Sequence, residues 1–164
     1  MIEQITSGHQ YRNYETSAFA QAGKESRHNM NYWLFGDYVG IGAGAHSKIS
    51  FADRIVRQMR YKQPKEYLAK AKAAESLIQA QHVLIPEDRG FEFMMNALRL
   101  TGGFETSLFQ ERTGLPISAI KKPLDEAEQR LLIVRNNLHI NPTVLGRRFL
   151  NDLLQIFLPE ANSQ

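Results

Sequence analysis

His28, Tyr32 and Trp33 fall within one short string, Arg27-His28-Asn29-Met30-Asn31-Tyr32-Trp33. A neutral imidazole is a good axial ligand for haem iron. Aromatic rings four and five positions further on offer flat apolar surface to a porphyrin face. Arg27 could pair with a propionate or simply sit in water. The same string also reads as structure alone, with His28 hydrogen-bonded to backbone and Trp33 in a core. A second stretch, Gly42-Ala43-Gly44-Ala45, is nearly bare backbone. It permits close approach of a ligand or of another backbone, and it equally suits a tight strand end with nothing bound. His9, His82 and His139 have no metal-like spacing and read as surface or turn residues. Glu15 and Asp37 are isolated acids whose spacing suggests no partner, so a general acid–base pair is unsupported. Met94-Met95 lies on an apolar helix face and reads as core filling.

Composition removes several kinds of chemistry. The sequence has no cysteine, which excludes disulfides, thiolate zinc sites, a cysteine nucleophile and an iron–sulfur cluster held by its own thiolates. Its 164 residues suit one ordinary domain, or a small domain with an appended piece. With 43% hydrophobic and 23% charged residues it is globular in composition. A net charge of +3 is too mild to imply nucleic acid. No apolar run approaches the ~20 residues of a membrane span. The polar N-terminal stretch carries no secretory signal, so a cytoplasmic location is expected.

The elements that would position these residues divide near residue 62. Before it, Tyr14–Ala20 reads as one short strand. Tyr38–Ile41 reads as a strand buried on both faces, of the parallel-sheet type. Residues 1–62 alone cannot cover such a sheet. They therefore call for partners, from a second copy or from a larger protein, and a homo-oligomer is expected. From 63 to 164 the pattern is helical. Pro64 opens a helix carrying Leu68, Ala71, Glu75 and Ile78 on one face. A second helix starts at Pro86-Glu87-Asp88 and stops at Gly102-Gly103. A third covers Thr106–Arg112, and a fourth runs roughly from Ser118 to Arg130. Asn136-Asn137 turns a hairpin, and Asn141 caps a last helix with Pro142 at its first position. The fold class is therefore α+β, ending in a winged-helix-like domain. The basic stretch Arg54–Lys72 reads as a solvated face.

Three segments resemble one family. They are Tyr14-Glu15-Thr16-Ser17-Ala18-Phe19-Ala20, the string 27–33, and Phe35-Gly36-Asp37-Tyr38-Val39-Gly40-Ile41-Gly42-Ala43-Gly44-Ala45-His46-Ser47. They are similar to the oxygen-independent coproporphyrinogen III oxidase-like group of radical S-adenosylmethionine proteins. The His-Asn-x-x-Tyr-Trp string resembles its haem-chaperone branch more than its oxidase branch. Phe91–Leu100 and the region from Phe104 to Leu158 resemble that family's C-terminal helical domain. The resemblance implies that residues 1–62 are the last strands of a barrel. It also implies S-adenosylmethionine contacts at Ala20 and His46, haem binding by His28, Tyr32 and Trp33, and a haem-acceptor protein as partner. The family's barrel carries three cysteines that hold a [4Fe–4S] cluster, and these are absent here. The chain is accordingly expected to be a truncated piece without catalysis of its own.

Two other functions compete. The helix pair and hairpin of 106–140 would suit a nucleic-acid-binding winged helix. Yet Lys121 and Lys122 are accompanied by Asp125, Glu126 and Glu128, which would face a polyanion. The C-terminal module could also be a protein-interaction domain that docks an acceptor.

Overall fold

The computed structural model describes residues 2–159. The protein is α+β. In chain order it forms α1 (Ile2–Gly8), β1 (Arg12–Glu15), β2 (Ala18–Ala20) and α2 (Arg27–Trp33). Next come β3 (His46–Ser50), β4 (Ile55–Arg60), α3 (Pro64–Lys72) and β5 (Ile78–Val83). The chain continues with α4 (Pro86–Ala97), β6 (Phe104–Glu105), α5 (Thr106–Thr113), a 3-10 turn (Ile117–Ile120) and α6 (Lys121–Gln129). It closes with β7 (Ile133–Arg135), β8 (His139–Pro142), α7 (Val144–Arg148) and α8 (Leu150–Gln155). These elements make two compact units. One runs up to Phe35 and resumes at Pro86, and the other is Gly36–Ile85. A division at 62 would fall inside the second unit, between β4 and α3.

The core of the first unit is built on α4. Phe93, Met94, Ala97 and Leu98 recur at helical spacing and are fully buried. The Phe93 ring meets Phe35, Phe104 and Phe109 edge-on, at 5.8, 5.0 and 5.2 Å between centroids. Met94 is core, as its place on the apolar face implies. The strands β6, β8 and β7 form an antiparallel sheet in that order, with Ile133 and Ile140 buried. Gly146 lets α7 press on this sheet, because a Cβ there would collide with the Leu132 carbonyl.

Two expectations for this unit are corrected. Tyr14–Ala20 is not one strand but part of a hairpin. The Asn13 amide donates to the Glu15 and Ala18 carbonyls and draws the chain into a turn at Thr16-Ser17. The last helix starts two residues later than Asn141. Asn141 and Pro142 belong to β8, and Thr143 is the cap, its hydroxyl accepting from the Gly146 N–H at 3.0 Å.

The second unit is a three-stranded antiparallel sheet, ordered β3-β4-β5, with α3 between β4 and β5. The helix expected to reach Ile78 ends at Lys72. Ala74 is left-handed (φ 56°) and the Lys70 ammonium closes on Glu75 at 2.7 Å, so the chain turns and Ile78 opens β5. Tyr38–Ile41 is not a strand buried on both faces. Only Tyr38 pairs, bridging Lys48, while Val39 and Ile41 are 66% and 87% exposed. Their shared parity puts both side chains on the outer face of an extended segment. The basic stretch Arg54–Lys72 spans β4 and α3.

Candidate functional site

The string 27–33 is α2 itself. Ser26 caps it, its hydroxyl accepting from the Asn29 N–H at 3.3 Å. At the other end Phe35 folds back, its N–H reaching the Tyr32 carbonyl at 3.0 Å, and buries its ring against Phe93. The Asn29 amide donates to the Tyr14 hydroxyl at 3.3 Å, which ties the helix to β1. No residue of α2 is itself buried. This short helix is held at both ends, with Arg27, His28 and Asn31 exposed and the other four residues half-buried.

His28 is exposed, and its imidazole makes no hydrogen bond to any described residue. The alternative in which backbone holds its ring finds no such bond among the described residues. Tyr32 follows at i+4, with the two rings 5.2 Å apart and tilted by 57°. Trp33 is half-buried rather than core. The Arg99 guanidinium stacks over its ring at 4.7 Å, so one indole face is already taken. Trp33 Nε1 and Arg99 Nε are both buried without a hydrogen-bond partner. Sequence reasoning missed Arg99, because no spacing signals a contact across 66 residues.

Ala20 ends β2, buried and paired with Arg12, in the first unit. His46 opens β3 in the second, exposed and paired with Met59. The glycine stretch before it makes a close approach to its own chain. A Cβ on Gly40 would strike the His46 carbonyl, and the Gly40 carbonyl accepts from Arg60 Nε at 2.8 Å. The Gly44 N–H reaches the Tyr61 carbonyl at 2.8 Å.

The two acids are not isolated. Asp37 accepts from the Ser50 N–H at 2.9 Å, the Ser50 hydroxyl at 2.8 Å and the buried Lys48 ammonium at 3.0 Å. Burial pushes its carboxyl up, but these hydrogen bonds and the Lys48 charge outweigh it and leave the group below the ordinary carboxylate value. That arrangement is a tether between strands rather than an acid poised to deliver a proton. Glu15 is buried and accepts from the Ser17 hydroxyl at 3.1 Å. His9 and His82 are exposed, and His139 Nε2 lies 2.8 Å from the Gly102 carbonyl.

The residues present do not fit an iron–sulfur cluster. The sequence has no cysteine, and no three His, Asp or Glu side chains converge among the described residues.

Residues 84–149 match the HemN C-terminal domain. The chain is 45% identical over 152 residues to the heme chaperone HemW of Haemophilus influenzae, covering 92% of this chain and 38% of that protein. It is 37% identical over 158 residues to HemW of Escherichia coli, covering 96% and 40%. Its fold matches the coproporphyrinogen III oxidase HemN of Escherichia coli, a radical SAM enzyme. That match has a TM-score of 0.67 at 14% identity, over 95% of this chain and 39% of that one, and shows a shared fold. The family likeness read from the sequence is thus borne out over nearly the whole chain. The chain spans about two fifths of the length of the curated relatives it matches. Among the described residues no helix is long and apolar enough to cross a membrane.

Proposed function

We propose that this chain is the haem-handling portion of a radical S-adenosylmethionine protein of the haem-chaperone kind. One observation carries the reading: an exposed His28 with no hydrogen-bond partner among the described residues, its ring 5.2 Å from that of Tyr32 on a helix fixed at both ends. The HemW relatives, whose names make them heme chaperones, support it.

In this reading haem is cargo, and its iron accepts a ring nitrogen of neutral His28. Tyr32 offers a ring beside the imidazole. Trp33 contributes its remaining face, braced from behind by Arg99. The cap at Ser26 and the anchor at Phe35 keep the imidazole oriented, so little ordering is left to offset on binding. An exposed site suits a chaperone, because cargo held at the surface can pass to an acceptor protein without the fold opening. In the whole protein, Ala20 and His46 would contact S-adenosylmethionine, which supplies radical chemistry when cleaved at a cluster. No cluster ligand comes from these residues. The fold shared with HemN favours one other reading, a part of a porphyrin-modifying oxidase. In that case the His28 string would serve as structure.

Haem titration of the chain, followed by its Soret band, separates the two. The chaperone reading expects a saturable one-to-one shift that His28→Ala removes, and the variant is benign because the residue is exposed. An equal shift in both proteins, or none in either, would overturn it.

A further inference from the structure

A cleft of about 220 Å³ lies in the first unit, where the β1–β2 turn meets the end of α4 and the α7–α8 junction. Arg99, Arg147 and Arg148 line it together with Asn13, Thr16 and Thr101, and the remaining lining is aliphatic. No acid lines it, and none of the three arginines has an ion pair among the described residues. Some arginines elsewhere are paired, Arg135 with Asp125 and Glu128, Arg130 with Glu126, and Arg54 with Asp53.

Three like charges around one concavity repel one another, and Arg99 makes the cost larger. Its Nε is buried and unbonded, and among the described residues its side chain meets the Trp33 ring. Arg99 is half-buried and Arg147 and Arg148 are exposed; gathered around one concavity that no acid lines, the three guanidiniums suit an anion. The polar neighbours fix the walls. The Thr101 hydroxyl donates to the Asn13 carbonyl at 2.8 Å, and the Thr16 hydroxyl donates to the Arg99 carbonyl at 3.4 Å. The cleft has room for a small ion with water, or for one acidic group of a larger molecule. Guanidinium forks match the planar or tetrahedral oxygens of carboxylate and phosphate.

We propose that this cleft is a binding site for a small oxyanion group, a carboxylate or a phosphate, held by Arg99, Arg147 and Arg148. The inference does not use His28 and stands or falls apart from the haem reading.

Calorimetric titration of the full chain with inorganic phosphate, and separately with succinate, tests it at low ionic strength. Saturable binding at one site is expected, weakened at least tenfold in Arg147→Gln/Arg148→Gln, whose side chains are exposed and whose fold should be intact. Arg99→Lys should weaken binding less than Arg99→Gln, because the charge remains without the fork. Arg54→Gln should bind as the parent does. Tighter phosphate binding would assign a phosphate-bearing ligand, and tighter succinate binding a carboxylate-bearing one. Absence of saturable binding with both probes, or equal losses in the Arg54 variant, would overturn the proposal.

Discussion

Phe35 joins the exposed helix α2 to the core of its unit, and it does so in an unusual backbone state. Its ring is buried and packs edge-on to Phe93, yet its φ is +55°, a left-handed conformation that a side chain with a Cβ rarely adopts. Truncation to alanine removes a buried aromatic ring, at a cost of about 3–5 kcal/mol. Of this, roughly 0.5–1.5 kcal/mol belongs to the ring pair. Alanine keeps the Cβ and with it the ~1–2 kcal/mol of left-handed strain. Glycine loses the same ring but relieves that strain. After its greater chain entropy is counted, Phe35→Gly should be more stable than Phe35→Ala by about 1 kcal/mol. This order reverses the usual ranking of the two residues. Trp33 is the single tryptophan and lies two positions away, so its fluorescence during urea unfolding reports on this unit. With a slope of ~2 kcal/mol per molar, Phe35→Ala should lower the midpoint by about 2 M and Phe35→Gly by about 1.5 M. A glycine variant no better than alanine would refute the strain. An alanine shift below about 0.5 M would refute the anchor.

Two further outcomes follow from the same geometry. Ser26→Ala removes the cap of α2 and should cost about 1 kcal/mol; weaker haem binding at an unchanged one-to-one ratio would show in the Soret titration. Asp37→Asn leaves the Lys48 ammonium buried without its carboxylate. Because Asp37 is itself 44% exposed, the cost should be only about 1–2 kcal/mol at pH 7. Its folded pKa is depressed, so the stabilisation is present above the unfolded value near ~3.9 and is lost as pH falls through the folded value. Parent and variant should therefore differ at pH 7, and the difference should shrink as the pH is taken down below the unfolded value, in unfolding followed by circular dichroism.

The second half of the chain was legible because its elements bury one clear face. Phe93, Met94, Ala97 and Leu98 announce α4, and Asn136-Asn137 announces the turn between β7 and β8. The sheet β3-β4-β5 left no such trace. Five of the six residues of β5 are exposed, and β4 carries Arg57, Gln58 and Arg60 among its apolar residues, so no period-two pattern stands out. Tyr38–Ile41 misled for the opposite reason: an apolar run looks buried whether or not anything covers it. At the site, α2 and its aromatic pair could be read from the string 27–33. Arg99 over Trp33 and the carboxylate of Asp37 against Lys48 could not, since both depend on how distant segments dock or pair.

The first unit is interrupted: its chain leaves at Phe35 and returns at Pro86. During synthesis, Phe35 emerges well before Phe93, Phe104 and Phe109, the rings that complete its core. At ~5–20 residues per second, the intervening stretch of about 50 residues takes roughly 3–10 s to make. The stretch Gly36–Ile85 is continuous and its strands pair locally, so it can form while that interval lasts. Until α4 arrives, the Phe35 anchor of α2 has no Phe93 ring to pack against, and in a nascent chain stalled near residue 85 the helix is left with its cap at Ser26 and its tie to Tyr14. On the proposed chaperone reading, the His28 surface is therefore firmly positioned only once the polypeptide that follows has been made.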